Sequence, residues 1–233
     1  MKKILSIWLW FIGCLFFLFS FFILAFCMFL FPQKTTVRVI RFLFRILIRL
    51  IGIKLVVTGR EHIDPYHSYL IMGNHQSLFD IFVIPVAIPL CFVGVEAAHH
   101  FSLPVWGYLV RKWGNIPIQR NNLKKAISSL EIAKKRLLSG MSIGILPEGH
   151  RTVTGEMTPF KKGPFHLAKE ACADILPFGI NGLFKYNQKG RLNLSPGVVK
   201  VNIGKPFPYE TFKDLSVEEL RKTMFDRIYN LSQ

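Results

Sequence analysis

The chain has 233 residues, 51% of them hydrophobic, with a mean hydropathy of +0.33 and 30 basic against 14 acidic side chains, giving a formal charge of +16. That length suits one medium-sized domain with an appendage. So basic a chain could serve nucleic acid, but no Asp or Glu precedes Glu61, whereas Lys2, Lys3, Lys34, Arg38, Arg41, Arg45, Arg49, Lys54 and Arg60 all fall before that point. Basic residues around an apolar segment match an anionic membrane leaflet, where each contributes about 1 kcal/mol. Membrane lipids, and no nucleic acid, are therefore the expected partners. Cys14, Cys27, Cys91 and Cys172 show neither metal-ligand spacing nor a disulfide framework, which fits a reducing compartment.

From Ile4 to Phe31 there is no charged residue. A helix over that run covers about 42 Å, more than a hydrocarbon core of about 30 Å. A cleaved signal would have an apolar region of only about 7–15 residues ending in a small-residue site. Residues 1–33 are therefore expected to be a retained hydrophobic membrane anchor. Residues 34–57 follow as a basic amphipathic helix in which Arg38, Arg41, Arg45 and Arg49 form one stripe. Two readings fit it: a helix lying in the membrane interface, which we prefer, or the first helix of the folded domain packed on its core. The charge bias favours a folded domain on the cytoplasmic face of the cell inner membrane, with either a single span or a re-entrant anchor.

Residues 58–233 alternate between strand and helix patterns. Ser68–Gly73 reads as a buried strand, followed by strand candidates at Cys91–Val95, Asn115–Ile118, Ser142–Leu146, Asp174–Ile180 and Val198–Ile203. Leu123–Leu138 reads as a helix capped by Asn121 or Asn122, with Leu123, Ile127, Leu130 and Leu137 facing inward and Gly140 stopping it. Shorter helices are expected over Pro164–Ala171 and Ser216–Leu231. The fold class is therefore α/β: a mixed, largely parallel sheet flanked by helices, with its site near the carboxyl ends of strands.

Asn74-His75-Gln76-Ser77-Leu78-Phe79-Asp80 stands at the end of the first of these strands. A neutral imidazole suits proton abstraction from an alcohol near neutral pH, and a carboxylate on its other nitrogen fixes the tautomer. His75 and Asp80, five apart, cannot share one face of a regular helix, but they can meet if His75 lies in the turn before a helix and Asp80 in its first turns. The pair alone is equally compatible with a structural turn. Further along come Gly114–Arg120, an apolar strand ending in Arg; Leu146–Thr152, a strand followed by a turn with Glu148, Gly149 and Arg151; Pro159–Phe165, a basic turn entering a helix; and Ile175–Ile180, a strand with a central Pro177. Two arginines, two lysines and a helix N-terminus could together hold a phosphate.

Taken in order, these motifs resemble those of the glycerolipid acyltransferase family that includes 1-acylglycerol-3-phosphate acyltransferases. Asn74, His75 and Asp80 match its Asn-His-x-x-x-x-Asp; Gly114–Arg120 matches its second motif, Leu146–Thr152 its third, and Ile175–Ile180 its fourth. The resemblance runs from about Gly59 to Lys205 and makes residues 58–233 an acyltransferase domain. It implies that His75 acts as general base on a lysophospholipid hydroxyl, with Asp80 holding the ring. The acyl donor would be acyl-CoA or acyl-carrier protein as co-substrate, with no further cofactor and no metal. It also implies that Arg120, Glu148, Gly149 and Arg151 bind the acceptor's glycerol phosphate. Asn74, Lys161, Gly163 and Pro177, from the same motifs, complete the expected substrate-binding set. The sequence departs from the family at Gln119, where Asp is common, and at His150, in place of Thr; both bear on the choice of acceptor.

Other readings remain beside it. The acceptor could be a lyso-ornithine lipid or another lysophospholipid, or the chain could be a non-catalytic lipid-binding protein, although that would predict a lost His or Asp. Gly140-Met141-Ser142-Ile143-Gly144 matches the spacing of a hydrolase nucleophile elbow, but the helix precedes it and the strand follows, the reverse of what that motif needs. Glu96, His99 and His100 have no second ligand cluster at a matching spacing.

Overall fold

In the computed structural model, which describes residues 2–233, the uncharged run is one helix, α1 (Lys2–Leu30), and Pro32 turns the chain into α2 (Gln33–Leu50). The two form a hairpin: the Thr36 hydroxyl donates to Cys27 O at 3.4 Å, and a Cβ at Gly13 would stand 2.8 Å from Ile51 Cγ2. One row of α1, including Ile4, Trp8, Phe11, Leu15, Phe22 and Phe26, is exposed along the helix. The other face meets the folded domain along the same length. The Ser6 hydroxyl accepts from Leu194 N, Trp10 Nε1 donates to Leu192 O at 2.8 Å, Phe17 packs on Phe82 and Phe21 on Tyr108, and the Lys112 ammonium stands over Phe29.

The apolar stripe of α2 (Val37, Ile40, Leu43, Phe44, Leu47 and Ile48) is buried in the protein, while Arg38, Arg45 and Arg49 are exposed. Of the two readings of this segment, the helix packed on the domain's core describes the buried stripe, while Phe42 and Leu50 of α2 stay exposed together with the apolar row of α1. The expected limit at residue 57 is also corrected. Gly52, with φ +84°, ends the helix, and Ile53–Thr58 becomes a strand, β1, with alternating burial. A left-handed residue favours glycine and breaks the α run, and the β-branched Ile53, Val56, Val57 and Thr58 then fit a pleated edge.

The remaining strands are β2 (Leu70–Gly73), β3 (Phe92–Ala97), β4 (Ile116–Ile118), β5 (Ser142–Ile145), β6 (Ile175–Asn181) and β7 (Gly197–Ile203). They form one sheet in the order β1-β7-β6-β2-β5-β3-β4, parallel throughout except for the β6–β7 pair. This is the mixed, largely parallel sheet the alternation implied. The connecting helices are α3 (Asp80–Ala87), α4 (Pro104–Trp113), α5 (Leu123–Leu138), α6 (Gly163–Glu170), α7 (Leu183–Tyr186), α8 (Tyr209–Phe212) and α9 (Val217–Leu231). Successive side chains of β2 take opposite faces. Ile71 joins the core shared with α1, α2 and α3, whereas Leu70 and Met72 join the core under α5, α6 and α9.

Asn122 caps α5, its side chain accepting from Lys125 N at 3.1 Å, and Gly140 follows its end with φ +85°. The buried face differs from expectation: Ser129, Ala133 and Leu137 are buried, while Leu123 and Ile127 are exposed. Small residues on that stripe let α5 approach the sheet closely, which turns the bulkier Leu123 and Ile127 onto its flank. Ser142 opens β5, buried, with its oxygen accepting from Tyr69 N at 3.0 Å, so it is a strand residue and not an elbow nucleophile.

Strand β2 runs up the middle of the sheet and ends at Gly73, where a Cβ would lie 2.3 Å from the Phe178 ring of the adjacent strand. Gly73→Ala therefore has to displace a buried aromatic. The expected cost is about 1–3 kcal/mol, read as a lower denaturation midpoint of the detergent-solubilised protein; an unchanged midpoint would refute this account of the strand end.

Candidate active site

The chain leaves β2 between the carboxyl ends of its two parallel neighbours, and each neighbour holds it. Asn74 Nδ2 donates to Ile180 O at 2.9 Å, and its Oδ1 accepts from Ile180 N at 2.7 Å, which ties the turn to β6. On the other side, Glu148, just beyond β5, accepts from His75 N through Oε1 at 2.7 Å, and Thr152 N donates to His75 O at 2.9 Å. The second oxygen of Glu148 accepts from both the backbone N–H and the hydroxyl of Thr158, each at 2.8 Å. The residue is 1% exposed, and both carboxylate oxygens are committed to the chain itself. Gln76 Oε1 accepts from Phe184 N and the Ser77 hydroxyl donates to Asn187 O, which anchors the rest of the turn.

Asp80 is the first residue of α3 and is fully buried. Its Oδ2 accepts from Gln76 N at 2.9 Å and Ser77 N at 3.1 Å, and stands 2.5 Å from His75 Nδ1. The sequence separation of five thus closes as a turn followed by a helix. With Nδ1–H directed at the carboxylate, Nε2 carries the lone pair. No described residue is hydrogen-bonded to Nε2, and the ring keeps 17% exposure.

His75 and Asp80 lie in the wall of a cavity of about 220 Å³. Most of that wall is apolar: Leu24 from α1, Ile40 and Phe44 from α2, Ile84 from α3, and Trp106 and Leu109 from α4. Arg120, after β4, and Arg151, in the turn after β5, are in the same wall. The cavity therefore joins an imidazole, two guanidinium groups and an apolar recess. That combination suits a ligand with a hydroxyl, an anionic head and an alkyl chain.

The other expected binding residues stand elsewhere. Asn74 and Glu148 hold the His75 turn as described. Gly149, with φ +76°, makes the tight turn that carries Arg151, and Lys161 packs beside it, exposed, with its N–H donating to Pro147 O. Gly163 begins α6 so close to α5 that a Cβ would meet Leu130 at 2.9 Å, and Lys162 pairs with Glu218 at 3.2 Å. Pro177 is buried inside β6 opposite Met72. The lysines and the α6 N-terminus are thus outside the cavity wall, which holds the two arginines alone of that expected phosphate set. Gln119 and His150 are exposed and also outside it. Sequence reasoning missed Thr158, and it missed the contribution of α1 and α2 to the wall, because those contacts join segments far apart in the chain and leave no local pattern.

A second polar group occupies the same wall. Glu96 Oε2 accepts from Trp106 Nε1 at 3.0 Å and lies 3.3 Å from His100 Nδ1, while its Oε1 accepts from the Asn115 amide. This joins β3, α4 and the start of β4 across the cavity.

Replacing one Glu148 oxygen with an N–H₂ sets donor against donor at the His75 turn. Glu148→Gln is expected to destabilise the fold by about 1–3 kcal/mol, whereas Thr158→Ser, which keeps both donors, should be nearly neutral. Thermal denaturation of the two variants checks this, and equal midpoints would refute it.

The Acyltransferase family profile matches residues 54–181, more than half of the chain. The mouse 1-acyl-sn-glycerol-3-phosphate acyltransferase alpha is 32% identical over 163 residues, which is 69% of this chain and 57% of that protein. A Borreliella burgdorferi 1-acyl-sn-glycerol-3-phosphate acyltransferase is 34% identical over 143 residues, covering 59% of this chain and 56% of the relative. The chain thus spans a little over half the length of these curated relatives. The crystal structure of the 1-acyl-sn-glycerophosphate (LPA) acyltransferase PlsC from Thermotoga maritima superposes with a TM-score of 0.87 at 25% identity, over 99% of this chain and 95% of that one. With its motifs in order, its sheet topology and this coverage, the chain belongs to the acyltransferase family.

Proposed function

We propose that this protein transfers an acyl group from a thioester donor, acyl-CoA or acyl-carrier protein, to the free hydroxyl of a lysophospholipid. The acceptor is 1-acylglycerol-3-phosphate and the product phosphatidic acid. The observation that carries this reading is the His75–Asp80 pair, with Nε2 unpartnered among the described residues, set in an apolar cavity whose wall also holds Arg120 and Arg151. Nε2 takes the proton of the acceptor hydroxyl as its oxygen attacks the thioester carbonyl. The tetrahedral intermediate then collapses, the carbon–sulfur bond breaks, and the thiolate leaves with the proton returned from the imidazolium. Asp80 stabilises that imidazolium through Nδ1. The guanidinium groups hold the phosphate, and the recess lined by Leu24, Ile40 and Leu109 takes an acyl chain.

We further propose that the hairpin of α1 and α2 lies along the membrane surface rather than crossing it, on the cytoplasmic face of the inner membrane. Arg38, Arg41, Arg45 and Arg49 run along α2 beside α1, and no ion pair among the described residues neutralises them. The Arg41 guanidinium pKa is lowered, chiefly by its partial burial, with Arg38, Arg45 and Arg60 crowding it. Drawing such a stripe through the hydrocarbon core would cost about 2.5–3.5 kcal/mol per charge even on the lenient insertion scale. In the surface orientation the exposed row of α1 enters the lipid and the arginines meet the headgroups.

Four outcomes are expected. Membranes supplied with labelled acyl-CoA should acylate lysophosphatidic acid in preference to a lyso-ornithine lipid or other lysophospholipids; label in none of them would sink the enzymatic reading. His75→Ala should lower turnover by about 10²–10⁴-fold with membrane association retained, and Arg151→Lys should mainly raise KM for the lysophospholipid. In a cysteine-free background, cysteines placed at Lys3 and Lys34 should react with an impermeant maleimide from the same side of sealed vesicles. Reaction from opposite sides would show a span.

A further inference from the structure

A second cavity, also about 220 Å³, lies beside the first. Leu9, Gly13, Cys14 and Phe17 of α1 form one side, and Leu47 of α2 with Ile51 just after that helix another. Its wall is almost wholly apolar. The Trp10 and Trp106 indole N–H groups are already bonded to Leu192 O and Glu96, which leaves the His100 imidazole as the one other strongly polar side chain in it. Gly13 allows α1 and α2 to close around the space, since a Cβ there would meet Ile51 Cγ2 at 2.8 Å. Exposed Cys14 and Leu103 mark its mouth, on the flank of the apolar row that α1 exposes.

Leu78, Ile81, His100 and Trp106 belong to the walls of both cavities. Leu78 and Ile81 bracket Asp80 in the chain, so the two apolar spaces meet at the segment that carries the His75–Asp80 pair. We propose that the second cavity binds the alkyl chain that the single-chain phospholipid acceptor already carries, while the acyl chain of the donor fills the first. This assignment rests on the acyltransferase reading above. In 1-acylglycerol-3-phosphate the reacting hydroxyl and the existing ester sit on adjacent carbons, so the incoming and resident chains diverge from one point, as the two cavities do. The acceptor resides in the bilayer, and the second cavity opens beside the lipid-facing row of α1. Polar atoms cluster where the spaces join, at His100, Glu96 and Trp106, which is where the glycerol backbone and ester of such a ligand would lie.

Photolabelling and kinetics test it together. Full-length protein carrying His75→Ala, in phosphatidylcholine vesicles, is irradiated with palmitoyl-lysophosphatidic acid bearing a diazirine in its chain, or with palmitoyl-CoA bearing the same group. The acceptor probe is expected to label peptides spanning residues 9–17 and 78–82, with the label displaced by unlabelled lysophosphatidic acid. The donor probe should label the segments around Leu24, Ile40 and Leu109. Acceptor label that no excess of lysophosphatidic acid displaces, or donor label in residues 9–17, would overturn the assignment. In the active protein, Cys14→Trp and, separately, Leu103→Trp narrow the mouth. Each should raise KM for palmitoyl-lysophosphatidic acid about tenfold while KM for the donor moves less than about twofold. Equal effects on both substrates, or none on the acceptor, would overturn it as well. Displaceable label at residues 9–17 in a protein that acylates no lysophospholipid would uphold the site and sink the activity, whereas acylation without that label would sink the site alone.

Discussion

The interaction on which the rest of the site depends is the double tether of the turn after β2. Residues 74–77 belong to neither sheet nor helix, so their backbone donors and acceptors need partners from elsewhere. Asp80 Oδ2 takes the N–H groups of Gln76 and Ser77 along with His75 Nδ1, and Glu148 takes the N–H of His75. One buried carboxylate thus shapes the turn and orients the imidazole at once. A second, just past the neighbouring strand, fixes the turn's height against the sheet. Because Asn74 makes the matching pair of bonds to Ile180, the imidazole is referenced to β5 and β6 together. An imidazole placed in this way would lose little freedom when a ligand arrives, and as the proposed base it would draw much of its advantage over a free imidazole from that.

The same tether divides polar from apolar. Behind the turn, carboxylate, amide and hydroxyl groups bond one another in burial, with Asp80 Oδ1 left as a buried oxygen without a partner among the described residues. In front of it, the cavity wall is built from side chains of α1, α2, α3 and α4 that offer almost no hydrogen bonds. The exceptions are Arg120 and Arg151, together with Glu96, His100, Trp106 and Asn115, the last four mutually bonded on one side of the recess. A long alkyl chain is accommodated by such a wall at no cost in broken polar contacts, whereas water gains little there.

In the proposed orientation, the N-terminal hairpin would couple this cavity to the membrane. Its apolar residues are divided between two roles, since α2 and one face of α1 complete the core and the cavity wall, and the other face of α1 is left bare. Arg38, Arg45 and Arg49 of α2 are exposed as well. A hairpin so divided is part of the cavity wall and, in the proposed orientation, would also meet lipid and keep a poorly soluble acceptor close to the imidazole.

Much of this was legible in the chain by itself. The alternation of apolar runs implied a largely parallel α/β sheet, because period-two and 3.6-residue patterns are local. The spacing of His75 and Asp80 allowed them to meet through a turn into a helix without deciding that they do, and Asn121 or Asn122 and Gly140 marked the limits of α5 by local capping chemistry. The tertiary structure decided what depends on partners distant in sequence. It turned Ile53–Thr58 from the end of a helix into an edge strand through pairing with β7, and it exposed Leu123 and Ile127. It brought Leu24 and Ile40 to within one cavity of His75. It also gave the motif residues different roles, with Arg120 and Arg151 lining the cavity while Asn74 and Glu148 brace the turn, Gly163 packs against α5 and Pro177 is buried in β6. Sequence shows which residue types are present at a strand end. Whether a carboxylate points toward a ligand or toward a backbone N–H is settled by which strand lies alongside, and that is a property of the folded sheet.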